Sequence, residues 1–186
     1  MLKKLPNQIP IFPLSGVIYF PKTNLPLNIF EQRYLDLVND AVRKDKLIGM
    51  VQSKRKGEDV YSIGCLGEIS DFQKSKDGRI LINLTGLTRF EVLEEKENSK
   101  SYREFKVNYE KFSMDLKPIK EVVNTEPLMD KAKIFLERNG LLLNWKEFEK
   151  LSEVQKINTL AMIAPVTNEE KQKLLESISL SEKVAV

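Results

Sequence analysis

The dipeptide Asp77-Gly78 sits in the polar run KSKDGR, between apolar runs at residues 64–73 and 79–86. An Asp-Gly pair between such runs supplies the positive-φ turn of a tight hairpin, so the two runs are expected to lie side by side and antiparallel. That pair sets the character of the first two thirds of the chain. Residues 88–97 and 102–112, separated by NSKS, read as a further pair of strands, and LIGMVQ at 47–52 has the pattern of a buried strand. IPIFPL at 9–14 is interrupted by Pro10 and Pro13, which suits an edge strand lacking some ladder donors, and NLPLNIF at 24–30 is a similar run. Gly64, Gly67 and Gly86 mark points where a strand bends, bulges or meets another backbone closely. A curled, partly closed antiparallel barrel satisfies all of these runs.

The hydrophobic period changes at Glu31. Tyr34, Val38, Ala41 and Val42 recur at helical spacing with Leu35 and Leu37 beside them, while Arg33, Asp36, Asp40, Arg43 and Lys44 take mostly the other face. Glu31 at the start and Arg43 and Lys44 at the end complement the helix dipole. After residues 113–124, read as a linker, only helical patterns remain. Thr125 caps one that Gly140 ends, Asn144 caps WKEFEKL, Ser152 opens another that stops before Pro165, and Thr167 caps the last, with Leu174 and Ile178 on one side. The expected architecture is α+β: a β-rich unit at residues 1–115 holding one inserted helix, and a helical bundle at 116–186.

Composition removes whole classes of chemistry. The chain has no histidine and one cysteine, so Ser-His-Asp and Cys-His catalysis, zinc sites and an internal disulfide are all out of reach. Neither G-x-x-x-x-G-K-[ST] nor G-x-G-x-x-G after a strand occurs, which leaves no phosphate cradle; no cofactor or metal is expected. With 41% apolar and 31% charged residues, the chain has the balance of a globular protein. No apolar run approaches the roughly 20 residues that span a bilayer, and MLKKLPNQIP has no apolar stretch behind its lysines, so no membrane partner and a cytoplasmic location are expected. A net charge of +3 is far below what drives nucleic-acid binding by counterion release.

IPIFPLSGVIYFP, LPLNIFEQRY, GCLGEI, DGRILINLTGLTRFEV and EKQKLLE, in that order, resemble the LON N-terminal domain, the substrate-recognising part of the ATP-dependent Lon proteases. The resemblance runs from Ile9 to about Glu176. It implies a PUA-like pseudo-barrel followed by a helical bundle, and recognition without proteolysis, because an AAA+ ATPase and a serine-lysine peptidase do not fit within these 186 residues. The function it implies is that of a stand-alone module binding unfolded polypeptide or a protein partner, an adaptor in protein quality control that serves a separate protease or chaperone. The alternative is a PUA-like nucleic-acid-binding protein, against which stand the low charge and the lack of an aromatic-and-basic stripe.

Glu31 and Arg33 read as a strand-to-helix joint, since nothing around them supplies a nucleophile or an oxyanion site. With Arg89 they are assigned to a structural polar network, Arg89 pairing Glu31, Glu68 or Glu91. Cys65 reads as a buried, inert thiol, and Trp145 and Phe148 as anchors of the bundle or of its contact with the barrel. The basic run SKRKGED at 53–59 reads as a solvated turn. Residues 16–24, GVIYFPKTN, hold four consecutive apolar side chains outside any alternating pattern. Ile18, Tyr19 and Phe20 are the candidate peptide-binding residues, some of them facing outward; the alternative is that the whole stretch fills the barrel core.

Overall fold

A computed structural model describes residues 5–54, 59–118 and 124–185. The β-rich part holds β1 (Gln8–Pro13), β2 (Asn24–Ile29), α1 (Gln32–Arg43), β3 (Leu47–Ser53), β4 (Val60–Lys74), β5 (Ile80–Lys96) and β6 (Arg103–Asn108). A 3₁₀ helix (Glu110–Leu116) leads to α2 (Glu126–Arg138), α3 (Trp145–Phe148), α4 (Glu153–Ile163), α5 (Asn168–Glu176) and α6 (Leu180–Ala185). Residues 55–58 of the basic run and 119–123 of the expected linker lie outside the described residues.

The Asp77-Gly78 turn joins β4 to β5 as expected, with Gly78 at φ 89° and the Gly78 N–H donating to the Ser75 carbonyl at 3.1 Å. The strands run in the order β2-β5-β4-β3-β1-β6, and β6 pairs again with β5, closing a barrel. Strand β5 can serve both ends because it is 17 residues long: its first part pairs β2, its last part β6. Sequence alone suggests a break near Gly86. Instead the strand continues, and the ladder absorbs Leu87 as a bulge, stepping from Leu66↔Thr88 to Gly67↔Gly86.

Two further expectations are corrected by the topology. The barrel is not wholly antiparallel: β1 and β3 are parallel, joined by the crossover that contains β2 and α1. Nor is β1 an edge strand. It lies between β3 and β6, but its neighbours are staggered: Pro10 faces only Glu104 of β6, and Pro13 only Val51 of β3. Each proline thus stands where one side of the ladder is missing, so the lost N–H orphans no partner.

Helix α1 buries Tyr34, Leu37, Val38 and Ala41 against the barrel. Ser152 and Thr167 form complete capping boxes, with Gln155 and Glu170, and the Asn144 side chain accepts from the Glu147 N–H. Helix α5 stops at Glu176, so Ile178 lies beyond it and is exposed, and a further helix follows. The sign of α6 was Ser179, whose Oγ accepts from the Glu182 N–H at 3.1 Å.

The helices and barrel share a core. Ile18, Phe20, Ile63 and Phe112 from the barrel side pack with Ala161, Leu174 and Leu175. Beside this patch, buried Gln52 donates to the Asn168 carbonyl and to Gln172 Oε1 at 3.0 and 3.1 Å, and Gln172 donates to the Ile63 carbonyl at 3.1 Å. Among the described residues no helix is long and apolar enough to cross a membrane.

Candidate functional site

The structure buries the stretch proposed as a recognition patch: Ile18, Tyr19 and Phe20 are 3%, 1% and 0% exposed. The cause lies in two paired glycines. Gly67 and Gly86 face each other across β4 and β5; a Cβ on the first would collide with the Tyr19 hydroxyl and one on the second with the Phe20 backbone. The residues of 18–23 settle into this bare spot, pinned by Lys22 N–H to the Gly86 carbonyl at 2.8 Å and Gly86 N–H to the Thr23 carbonyl at 2.9 Å. Apolar residues need no alternation when both of their sides are covered, which is why period alone misplaced them. Cys65 is buried too, and burial pushes both its thiol and the Tyr19 phenol up.

The expected network of Glu31, Arg33 and Arg89 does not form as a unit. Glu31 and Arg33 pair with each other at 2.9 Å, about half exposed, immediately at the start of α1. Arg89 pairs with Asp115 instead of Glu31, Glu68 or Glu91. Asp115 lies in the 3₁₀ helix that the linker reading concealed.

The Glu31–Arg33 joint nevertheless lines a groove of about 490 Å³, bounded by residues from the C-terminal ends of β1 and β2, the start of α1, and the turn before β6. Phe12 and Tyr34 contribute to its lining, rings tilted by 39° with centroids 4.1 Å apart. Arg33 lies over Tyr34, its Cζ 4.7 Å from the ring centroid, so the exposed guanidinium covers the buried aromatic while its charge meets Glu31. Burial pushes the Tyr34 phenol up, and the neighbouring Arg33 opposes this. Arg103, also lining the groove, is held by Glu95 at 2.7 Å. Tyr102 donates to Asp40 at 2.8 Å; burial and that bond push its phenol to about 12.

Phe30 was not singled out by sequence reasoning, although it ends the run NLPLNIF. It is 66% exposed beside Ile29, which is 2% exposed: the alternation of β2 turns one inward and the next outward. That parity was the available signal. Strand β2 pairs only with β5, so its other edge carries no strand partner among the described residues. An unpaired edge, an outward aromatic and a groove with aromatic lining and a charged rim thus meet at the joint. This arrangement can hold an extended chain; it contains no imidazole or thiol nucleophile, and among the described residues no cluster suits a metal ion.

A family model for the substrate-binding domain of the ATP-dependent protease La (LON) matches residues 8–185. The Lon protease of Syntrophus aciditrophicus is 28% identical over 197 residues, covering 97% of this chain and 24% of that protein. Lon protease 2 of Myxococcus xanthus is 34% identical over 96 residues, 48% of this chain and 12% of its own length. The chain therefore spans about a quarter of the Syntrophus relative. Among solved structures, the N-terminal domain of Mycobacterium avium complex Lon protease superposes with a TM-score of 0.65 at 15% identity, covering 96% of this chain and 94% of that one. A Lon N-terminal domain protein from Xanthomonas campestris gives 0.61 at 22% identity, with coverage of 92% and 91%.

Proposed function

The chain belongs to the substrate-binding domain family of the ATP-dependent protease La (LON), and from that membership we propose that it is a non-catalytic polypeptide-recognition module whose binding surface is the groove at the Glu31–Arg33 joint. The observation that carries this reading is Phe30, an aromatic turned to solvent at the end of an unpaired strand edge. Backbone pairing along β2 accepts any sequence, while the exposed Phe30 ring favours apolar side chains; together these select unfolded clients over folded proteins. Glu31 and Arg33 orient the groove's rim and shield Tyr34; they do no chemistry. In this reading the domain works in the cytoplasm, with Cys65 as a thiol, and presents clients to a protease or chaperone.

Fluorescence anisotropy with a labelled, reduced and carboxymethylated lactalbumin tests the site. Phe30→Ser should weaken binding by about 1–2 kcal/mol, the usual loss for an aromatic anchor, while the melting temperature stays unchanged. The affinity should barely respond to salt between 50 and 200 mM, as expected of roughly apolar contacts rather than phosphate contacts. Unchanged binding in the variant would place the surface elsewhere. A steep salt dependence, with RNA competing for the site, would favour nucleic-acid recognition. The purified protein should neither hydrolyse ATP nor cleave casein, and activity that stays with it through successive columns would overturn the non-catalytic reading.

A further inference from the structure

A second cleft, of about 720 Å³, lies between the barrel and the helices and shares no lining residue with the rim groove. Its apolar lining includes Pro21, Met114, Val154, Ile178 and Leu180, and Met114 and Ile178 are more than half exposed. Among the described residues its charges are unbalanced: Lys22, Arg89, Lys117 and Lys183 stand against the single carboxylate of Asp115. Both carboxylate oxygens of Asp115 accept from Arg89, so none of the lysines holds this carboxylate in an ion pair.

Lys183 is the unusual member. It is 7% exposed, yet among the described residues it has no carboxylate partner. Its ammonium donates to Asn158 Oδ1 at 2.7 Å and lies 3.9 Å from the centroid of Phe20. An amide oxygen and a ring face compensate only part of what a buried cation loses when it leaves water. Burial first, then the charge of Arg89, hold the amine down at about 7, with Asp115 and Cys65 pulling the other way. An anion brought to this ammonium would gain a charge-assisted hydrogen bond in a region of low dielectric. The lining decides what else the ligand must be: a hydrated inorganic anion would leave the apolar walls of the cleft unsatisfied, whereas an apolar body would cover them.

We propose that this cleft binds an apolar group bearing a carboxylate, with Lys183 as the counter-ion and Met114 and Ile178 flanking the apolar body. The chemistry can be supplied by a free apolar acid or by the C-terminal residue of a polypeptide. Binding brings a negative charge to Lys183 and so favours its protonated form; at pH 8 the complex takes up a proton from the buffer.

Titration calorimetry on the full chain tests this with 4-phenylbutyrate against 4-phenylbutan-1-ol, and with a hexapeptide ending in phenylalanine as free acid against its amide. The carboxylate should be preferred at least tenfold over the alcohol, and Lys183→Met should abolish that preference while Lys44→Met, at the exposed end of α1 and outside the cleft, keeps it. Ile178→Ser should weaken acid and alcohol alike, which also serves as the test if Lys183→Met does not fold. A free-acid peptide that binds tenfold more tightly than phenylbutyrate, and loses this on amidation, assigns the source to polypeptide ends; the reverse order assigns it to small acids. Equal binding of acid and alcohol, or a preference that survives Lys183→Met, overturns the proposal.

Discussion

Arg89 and Asp115 form a two-point ion pair, Nε and Nη2 of the arginine donating to the two carboxylate oxygens at 2.9 and 2.8 Å with both side chains almost dry. The remaining nitrogen, Nη1, donates to the carbonyls of Leu175 and Ser177 at the end of α5. One guanidinium thereby ties β5, the 3₁₀ helix and the negative end of a helix together, a task that a lysine's single charged point cannot perform.

Removing either partner leaves the other charge buried. Asp115→Ala is expected to cost about 3–5 kcal/mol in urea denaturation, and Arg89→Met a similar amount. The double variant Arg89→Met with Asp115→Leu should lose clearly less than the sum, because it strands no charge. Strict additivity would show that the pair is not coupled.

Phe20 and Phe30 separate packing from the proposed recognition. Phe20→Ala should destabilise by about 3–5 kcal/mol, because the ring is enclosed by both barrel and helices. Gly86→Ala should also destabilise, since the new methyl meets backbone and not a movable side chain. Phe30→Ser should stay within about 0.5 kcal/mol. A stable Phe20→Ala variant would mean that the 16–24 stretch is not core.

At the joint, Tyr34→Ala should cost roughly 3–5 kcal/mol by opening a cavity beside Phe12. Arg33→Ala, removing an exposed ion pair, should cost no more than about 1 kcal/mol. Thermal melts of the two variants give the comparison, and equal melting temperatures would reject this packing of α1.

Lys183 makes stability depend on pH. Its folded value of about 7 lies below the ordinary lysine range, so between pH 7 and 10.5 the unfolded chain binds more protons than the folded one. Stability from this residue therefore rises with pH across that window and is lost as pH falls through about 7. The slope is at most about 1.4 kcal/mol per pH unit. Raised Cys65 and Tyr19 act in the opposite sense at higher pH, so the test belongs between pH 7 and 8.5. Urea midpoints should climb over this range in the parent and remain flat in Lys183→Met.

The turn at Asp77-Gly78, the caps at Asn144, Ser152 and Thr167 and the buried face of α1 follow from rules acting within a few residues, so these and Tyr34 could be read from the chain. Thr125, by contrast, makes no cap hydrogen bond at α2 and donates to Glu153. Gly67 and Gly86 could be recognised as places of close approach, but not what approaches them. The 16–24 stretch, Arg89 and Phe30 depend on partners far along the chain: a glycine pair for Tyr19, Asp115 for Arg89, and the missing neighbour of β2 for Phe30. Their neighbours are fixed by topology, which local periodicity does not encode. The rim groove was half visible, since its charged joint stood out while its aromatic wall looked like ordinary strand.

Closure of the ring by β6 carries a consequence for synthesis. Strand β1 pairs residues as distant as Gln8 and Lys106, and the face carrying Ile18 and Phe20 is covered by Ala161, Leu174 and Leu175. A nascent chain leaving the ribosome cannot complete the barrel until β6 has emerged, and the apolar face at its end stays wet until α5 follows. Contacts so separated in sequence slow folding and lengthen the exposure of sticky surface. During its own translation, a protein proposed to hold unfolded polypeptide is itself an unfolded polypeptide until β6 and α5 have emerged.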